Sequence, residues 1–414
     1  MLLPVSWALC FIVSIAFNNN QDSNMKLLHR IQALDASRRL DVVSKYIPAL
    51  LVGKNDDDDD NNNIVVGHIH SNLVETIRKK LDEEGSNQLF RNSFLLPPPD
   101  DVDNAAASAA GGTTTTSLFR NRFFGLRVDE TETETLTSTQ KSAADTDTDN
   151  KASTSPSSLM VDARSAPFER FTDLLLECKI ISKRHTDMYP ITDLRKTAAG
   201  GEILATVNRN AAPFLGITSI GVHLLCYVRD DETNNNNNNN NNSNSNVSLW
   251  LAQRAADKSH NALRWDPTVA GGQPALMGFF DNVIKEAGEE AGIDPDLVAQ
   301  TAVSTGCLSQ MTCKRNDGTC MKQSLYYTWD MEVDRETFVP WPADGEVAAF
   351  ELCSAEQLEY EVRHGDRLRP AMILVVADFL VRHGVITPDN EPDYAEILAA
   401  MHRERLVLEY TAHT

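Results

Sequence analysis

The chain has few basic residues for its length and contains no C-x-x-C motif. Its 38 lysines and arginines are outnumbered by 59 acidic residues, which gives a net charge of −21. Nucleic acids and anionic membranes bind basic surfaces, so this charge argues against both as partners. The seven cysteines are scattered, and their spacing predicts neither a zinc site nor a disulfide framework. Reduced, mostly buried thiols are therefore expected.

The apolar stretch at residues 1–17 is too short and too isolated to predict a membrane span. Two interpretations of residues 1–24 stay open: they form a leader peptide, or Met25 is the true start. Residues 14–17 (SIAF) resemble the cleavage region of leaders that direct proteins into the complex plastids of algae. A leader predicts import into a plastid or the secretory route, whereas a start at Met25 predicts a cytoplasmic protein.

Polar low-complexity sequence interrupts the chain in four places, at residues 56–63, 105–116, 131–158 and 234–246. Such sequence buries too little apolar surface to offset the entropy of ordering it, so mobile loops are predicted there. The last segment joins two strand-like runs, residues 221–228 and residues 247–252, which predicts a β-hairpin with an expanded tip.

Hydrophobic periodicity predicts helices throughout the chain and strands mainly in its second half. The expected helices lie at residues 27–34, 73–83, 168–181, 279–291 and 370–383. The expected strands after the hairpin lie at residues 301–308, 324–332 and 348–352. Strands flanked by helices favour α/β/α layers for the C-terminal half.

The predicted helix at residues 279–291 carries Glu286, Glu289 and Glu290. Positions i, i+3 and i+4 share a helix face, so the three carboxylates are expected to converge and to repel one another. Mg²⁺ or Mn²⁺ would relieve that repulsion, because both are hard cations that bind carboxylate oxygens and phosphates. The preceding Gly271-Gly272 pair lets the backbone approach such an ion and offers the Gly272 carbonyl as a further ligand.

An acidic helix face is more often simply solvated, and that alternative has to be weighed. Here the glycine pair precedes the helix, and Gly292 stands where a left-handed C-terminal cap is expected. Phe279, Phe280 and Val283 supply an apolar face on the opposite side. Together these features favour a site over a solvated surface.

Residues 271–293 resemble the Nudix box, a pattern of one glycine, an acidic helix and a closing glycine. The residues that match are Gly271, Glu286, Glu289, Glu290, Gly292 and Ile293. Met277 stands where the pattern has its first glutamate, and Lys285 replaces an arginine. Lysine lacks the planar fork of arginine, so the hydrogen bonding that steadies the loop is expected to differ.

Four further segments resemble the Nudix group that is related in name to thiamine pyrophosphokinase: residues 250–254 (WLAQR), 269–275 (VAGGQPA), 344–347 (DGEV) and 378–384 (DFLVRHG). The resemblance implies a family-specific α+β domain at 25–212, a Nudix α/β/α sandwich with a mixed sheet at 213–390, and a helical tail at 391–414. It also implies Mg²⁺- or Mn²⁺-dependent hydrolysis of a small diphosphate, namely damaged (oxidised) thiamine diphosphate, to the monophosphate.

In this scheme Glu286 and Glu290 hold the metal, and Glu289 is a further ligand or the base that orients water. Glu346, in the turn at residues 344–346, is the second candidate base, and an ordinary turn carboxylate is the alternative.

Candidate substrate-binding residues are Arg254, Tyr327 and Trp265. Arg254 follows a predicted strand and is suited to a phosphate, although a surface arginine is equally ordinary. Tyr327 lies in a predicted strand and offers a ring for stacking, with core packing as the alternative. Trp265 is expected in the loop before the glycine pair, at the border of the pocket.

Three other functions stay open. A Nudix hydrolase acting on a nucleoside diphosphate derivative would use the same residues. An isomerase-like protein would need a reactive cysteine, for which Cys307 is the candidate. A binding module with a decayed box would explain Met277 and Lys285. The sequence predicts no oligomeric state.

Overall fold

A computed structural model describes residues 27–33, 46–52, 64–82, 94–95, 124–127, 156–192, 203–229, 247–258, 260–275, 277–313 and 320–402. The possible leader and the low-complexity segments at 56–63, 105–116 and 234–246 lie outside the described residues. Of the segment 131–158 only residues 156–158 are described, and they begin a helix instead of continuing the predicted loop.

The first half of the chain forms a small α+β unit. Helix α1 (Leu27–Ala33) comes first in the chain, and the helices of the unit itself are α2 (Ser71–Asp82) and α3 (Pro156–Glu177). Its strands are β1 (Tyr46–Val52), β2 (Ile64–His70), β3 (Phe94–Leu95), β4 (Phe124–Arg127), β5 (Met188–Ile191) and β6 (Ala205–Asn208). The first four strands form a sheet in the order β2-β1-β4-β3, and β5 pairs with β6. All three predicted helices are confirmed, although α3 begins before the predicted residue 168 and ends four residues early, at Glu177.

Helix α3 supplies the centre of this unit. Phe168, Phe171, Leu174 and Leu175 recur at helical spacing and are all fully buried. They pack with α2, with β5 and β6, and with the 3₁₀ turn Ala212–Leu215 that leads into the second half of the chain. The core of this unit therefore also positions the segment that approaches the glycine pair.

The second half of the chain is built on one mixed sheet. Its strands are β7 (Ser219–Arg229), β8 (Val247–Arg254), β9 (Trp265–Pro267), β10 (Val269–Gly272), β11 (Val303–Cys313), β12 (Met321–Glu332) and β13 (Val347–Ser354). Five follow the order β11-β12-β7-β8-β13, while β10 pairs with β7 and β9 pairs with β8. Strands β7 and β12 are parallel, and the other pairs are antiparallel. The predicted β7–β8 hairpin is confirmed.

Helices cover both faces of this sheet: α4 (Phe279–Ala291), α5 (Pro295–Thr301), α6 (Ala355–Arg363), α7 (Met372–Arg382) and α8 (Tyr394–Met401). Alternate residues of β7 point to opposite faces, as strand geometry requires. Leu224 joins the cluster under α4, and Leu225 joins the cluster under α7. The predicted α/β/α layering and mixed sheet are confirmed. Helix α8 lies within the expected C-terminal tail.

Two local predictions need correction. Residue 301 ends helix α5 instead of opening a strand, because the Asp294 side chain caps that helix by accepting from the Asp296 amide. Trp265 lies in strand β9, not in a loop. The glycine pair ends strand β10, which hydrogen-bonds to β7. A three- or four-residue strand is too short to show the alternation that reveals longer strands.

Helix α1 packs against the C-terminal core, not against the unit that follows it in sequence. Leu27, Leu28 and Ile31 are buried in the same cluster as α7 and α8. Arg30 donates hydrogen bonds to the carbonyl oxygens of Glu361, Val362 and Gly365, at the end of α6. Within the described ranges, every helix is too short or too polar to cross a membrane.

Candidate functional site

The loop between β10 and α4 is tied down by amide side chains. Asn282, fully buried in the first turn of α4, donates from Nδ2 to the Gly272 carbonyl oxygen at 3.0 Å. Gln273 donates from Nε2 to the Met277 carbonyl oxygen at 2.7 Å. Residue 277 therefore serves the loop through its backbone, and its side chain is exposed. This explains how methionine can stand where the Nudix pattern has a glutamate.

Gly271 makes room for Glu286. A Cβ atom on Gly271 would lie 2.4 Å from Glu286 Cγ, closer than real Cβ contacts allow. The glutamate side chain therefore packs directly on the strand backbone, and only 15% of it is exposed. Any larger residue at position 271 would displace this carboxylate.

Glu290 lies one helical turn further and turns inward. Its Oε2 accepts a hydrogen bond from the Ala270 amide at 3.0 Å. Burial raises the pKa of Glu290 to about 8, and repulsion from Glu286 and Glu346 adds to that effect. Burial also raises the pKa of Glu286, against the pull of Lys285. Both carboxyls therefore lie where negative charge lacks compensation.

Glu289 is placed differently, and the expected convergence of all three glutamates is not seen. Its side chain is 52% exposed and bonds to Lys285 Nζ at 2.5 Å, while that nitrogen lies 3.4 Å from Glu286 Oε1. At about 100° per residue, Glu289 and Glu290 diverge to opposite sides of Glu286. Within the described part of the chain, no three acidic, histidine or cysteine side chains come close enough to hold a metal ion.

Glu346 lies across a pocket from Glu290. The residues that line this pocket are Ala252, Arg254, Lys258, Asp266, Pro267, Ala270, Glu290, Glu346 and Val347. The Glu346 carboxylate forms an ion pair with Lys258 Nζ, and its backbone carbonyl accepts from the Ala255 amide at 2.9 Å. Glu346 is thus held at the pocket and is close enough to Glu286 and Glu290 to repel both.

Of the three predicted substrate-binding residues, Arg254 alone lines this pocket. Its Nη1 donates to the buried Asp266 at 3.0 Å, and Asp266 also accepts from Arg369. Trp265 is 8% exposed, and the Arg367 guanidinium covers its ring at 4.8 Å.

Tyr327 stacks on Phe279, with 4.7 Å between ring centroids. Trp265 and Tyr327 thus serve packing in this arrangement, which is the alternative that the sequence left open for Tyr327.

Three polar residues at the site were missed by sequence reasoning: Asn282, Lys258 and Arg209. Asn282 is buried on a helix whose other fully buried residues are Val283, Ala287 and Ala291, all apolar, a signal that the sequence does contain. Lys258 and Arg209 belong to no motif. Arg209 reaches the glycine pair from the first half of the chain, where its guanidinium lies about 3.4 Å from the Cβ position of Gly272.

The carboxylates present fit a hard divalent cation. Glu286 and Glu290 offer oxygen atoms of the kind that Mg²⁺ and Mn²⁺ prefer as ligands, and Glu346 lies near enough to both to add negative charge. The pKa values of Glu286 and Glu290 are raised, which indicates that positive charge would stabilise the cluster. The Gly272 carbonyl, proposed as a further ligand, already accepts a hydrogen bond from Asn282 and keeps one lone pair for another partner.

Comparison with known proteins finds a family match over the part of the chain that contains this site. Residues 236–374 match the NUDIX domain. The match includes the whole acidic helix, the glycine pair and Glu346, but it begins after Arg209.

The chain is 31% identical over 205 residues to the uncharacterized protein YJR142W of Saccharomyces cerevisiae, covering 48% of this chain and 56% of that protein. It is 30% identical over 218 residues to the chloroplastic Nudix hydrolase 24 of Arabidopsis thaliana, covering 53% of each chain. It thus spans about half the length of these relatives. DR0079 of Deinococcus radiodurans, a solved structure, gives a TM-score of 0.32 at 14% identity, covering 46% of this chain and 98% of that one.

Proposed function

We propose that the chain is a Mg²⁺- or Mn²⁺-dependent pyrophosphohydrolase that cleaves a small-molecule diphosphate. The observation that carries this proposal is the pair Glu286 and Glu290, held against the strand that ends in the glycine pair and facing Glu346 across a pocket. The NUDIX match and the Nudix hydrolase relative support the same reaction class. Water adds to one phosphorus atom, the anhydride P–O bond breaks, and two phosphate products leave.

Glu286 and Glu290 would hold the ion, and Glu289 would join them once its ion pair with Lys285 opens. When bound, the ion supplies positive charge to the phosphate oxygens and lowers the pKa of a coordinated water. Glu346 accepts the proton of the attacking water on its carboxylate, and its ion pair with Lys258 orients it for that task. Arg254, fixed by Asp266, presents its remaining donors to the substrate.

The proposed substrate is oxidised thiamine diphosphate, which would yield the monophosphate. Its support is the sequence resemblance over residues 250–254, 269–275, 344–347 and 378–384, all of which lie in the C-terminal half. A nucleoside diphosphate derivative is the runner-up, because the same carboxylates would cleave it. We also propose that the catalytic domain spans residues 213–390, since strand β7 belongs to its sheet yet precedes the NUDIX match.

A panel of diphosphates tests the proposal. It includes thiamine diphosphate, its oxidised forms and nucleoside diphosphate derivatives, each assayed with Mg²⁺, with Mn²⁺ and with a chelator. We expect monophosphate release from an oxidised thiamine diphosphate that stops with the chelator and with Glu286→Gln. Glu356→Gln, at an exposed glutamate of α6, is the matched control and should keep full activity.

If the protein cleaves a nucleoside diphosphate derivative in preference to every form of thiamine diphosphate, that derivative replaces oxidised thiamine diphosphate as the proposed substrate. Full activity of Glu286→Gln would remove the proposed site.

The isomerase alternative receives no support from Cys307. Burial raises the pKa of the Cys307 thiol to about 11, so it stays protonated and weakly nucleophilic at neutral pH. A non-catalytic binding module would show Mg²⁺-dependent binding of thiamine diphosphate in calorimetry without turnover of any diphosphate on the panel.

We propose plastid import for a chain that carries residues 1–24 as a leader. The support is the resemblance of residues 14–17 to a leader cleavage region, together with the chloroplastic relative. Fusing residues 1–24 to a fluorescent protein in an alga with complex plastids tests this. Plastid fluorescence is expected, and diffuse cytoplasmic fluorescence would favour a start at Met25.

A further inference from the structure

We propose that Arg209, which precedes the NUDIX match, binds a phosphate group of the diphosphate substrate. The inference rests on the proposed function for the identity of its ligand. It concerns the two glycines Gly271 and Gly272, here called the glycine edge, and the side chains on either side of it.

The two glycines have neighbouring side chains of opposite charge. Successive residues of a strand point to opposite faces. The Cβ position of Gly271 is occupied by the Glu286 side chain, and that of Gly272 lies about 3.4 Å from the Arg209 guanidinium. Only backbone therefore separates the carboxylate from the cation, and the two charges are close enough to interact. A diphosphate lying across this edge would meet the acidic cluster on one side and a guanidinium on the other.

Arg209 is ordered before any ligand arrives. Its Nη1 donates to Asp187 Oδ2 at 2.8 Å, and its guanidinium lies 5.6 Å from the centre of the Tyr189 ring. The segment that carries it is fixed by Asn208, whose buried side-chain amide bonds the backbone of His185 in both directions. A further backbone bond, from the Ala275 amide to the Met188 carbonyl, joins this segment to the loop after the glycine edge.

The other cations near the acidic cluster are already engaged. Lys285 bonds to Glu286 and Glu289, Lys258 pairs with Glu346, and Arg369 bonds to Asp266. Arg209 pairs instead with Asp187, which lies outside this cluster, and within the described part of the chain its Nη1 alone donates a hydrogen bond. Its Nε and Nη2 groups are available for the paired, charge-assisted hydrogen bonds that guanidinium forms with phosphate. The first half of the chain would thereby complete the NUDIX site.

Calorimetry with a methylene-bridged, non-hydrolysable diphosphate analogue and saturating Mg²⁺ tests this assignment. We expect Arg209→Gln to weaken binding by about 10- to 100-fold, the loss typical of hydrogen bonds to a charged group. Arg209→Lys should lose several-fold, because it keeps the charge without the planar fork.

Arg184→Gln is the matched control. Arg184 lies on the same unit, is 39% exposed against 38% for Arg209, and also pairs with carboxylates, those of Glu169 and Asp173. It should bind the analogue within twofold of wild type. Mg²⁺ binding alone should not be weakened in either glutamine variant.

Wild-type affinity in Arg209→Gln, or an equal loss in Arg184→Gln, overturns the assignment. If Arg209→Gln fails to fold, unchanged affinity in Arg209→Lys overturns it instead. Tight analogue binding by a wild-type protein that hydrolyses no diphosphate would defeat the proposed hydrolase and leave the role of Arg209 intact. Diphosphate hydrolysis by the wild-type protein, together with wild-type analogue affinity in Arg209→Gln, would support the proposed hydrolase and defeat the role of Arg209. A wild-type protein that fails to bind the analogue at all defeats both.

Discussion

Asp330 and Glu290 are inward-facing carboxyl groups of the same domain, and their surroundings differ in charge. Asp330, on β12, is bonded to Arg382 through two nitrogens and to His383 Nε2 at 2.9 Å. Glu290, on α4, is bonded to the neutral Ala270 amide and faces Glu286 and Glu346. One carboxylate is paired with an arginine and a histidine, and the other faces further carboxylates.

The two pKa values diverge accordingly. Burial alone would raise the pKa of Asp330, but the hydrogen bonds from His383 and Arg382 outweigh it and hold the pKa below its ordinary value. Burial raises the pKa of Glu290 to about 8, and the neighbouring carboxylates reinforce that direction. A carboxylate that the fold has neutralised is structural, whereas one left short of positive charge marks a place for a cation from outside.

The largest expected effect comes from removing the charge of Asp330. Asp330→Asn would leave Arg382 with Asp378 as its one remaining carboxylate partner in a largely buried setting, at a cost of about 3 kcal/mol in the free energy of unfolding. Urea unfolding at pH 7 measures this loss. Because the Asp330 pKa is depressed, its contribution is present above the ordinary value of 3.8 and fades as the pH falls through the folded-state pKa.

Asp389→Asn, at an exposed aspartate, is the control and should change stability by less than about 0.5 kcal/mol. A loss under 1 kcal/mol in Asp330→Asn would show that its two partners find other acceptors.

Glu290→Gln addresses the other member of the comparison. We expect the fold to persist while the Mg²⁺-dependent kcat/KM for the diphosphate falls by at least about 100-fold, because one of the proposed metal ligands is removed. The measurement is product release at saturating Mg²⁺ and at 25 °C. Asp330→Asn, assayed where it is still folded, should stay within about threefold of wild type. Equal losses in the two variants would remove the distinction between structural and functional carboxylates.

The pH dependence of stability gives an effect of opposite sign to that of Asp330. The folded protein keeps a proton on Glu290 up to about pH 8, whereas the unfolded chain releases it near 4.5. Stability should therefore fall as the pH rises from about 4.5 to about 8. Thermal unfolding with a chelator measures this fall.

Glu290→Gln should abolish the decline and be more stable than wild type at pH 8. Mg²⁺ should restore wild-type stability at that pH. A wild-type protein that grows steadily more stable up to pH 8 in chelator would contradict the assignment.

Local signals were enough to predict the acidic helix to the residue. Gly278 and Gly292 stand at its two ends, Gly292 with a φ of 63°, and apolar residues recur between them at helical spacing. The β7–β8 hairpin was equally accessible, because two long apolar runs flank one polar segment. Features that repeat within about ten residues can be predicted from sequence, since the physics that determines them is local.

The partners of the charged side chains could not be predicted in the same way. Asp266 bonds to Arg254, twelve residues away, and to Arg369, 103 residues away. Arg209 reaches the glycine edge from outside the NUDIX match. These contacts depend on strand register and on packing between the two halves of the chain, which no spacing rule encodes. The motif therefore identified the acidic residues and Lys285, while Lys258 and Arg209 emerged only with the structure.

The smallest expected effect comes from Lys285, because this cation partly compensates the negative charge of the acidic cluster. Lys285→Gln should change stability by no more than about 0.5 kcal/mol, since its pair with Glu289 is largely exposed. Removing this charge should also free Glu286 and Glu289 for the metal, so the Mg²⁺ concentration for half-maximal activity should fall by up to about fivefold. A Mg²⁺ titration of activity at constant ionic strength measures the shift, with Lys179→Gln, at an exposed lysine after α3, as the control. A higher Mg²⁺ requirement in Lys285→Gln would instead show that the lysine steadies the helix and loop, as the arginine of the Nudix pattern is expected to do.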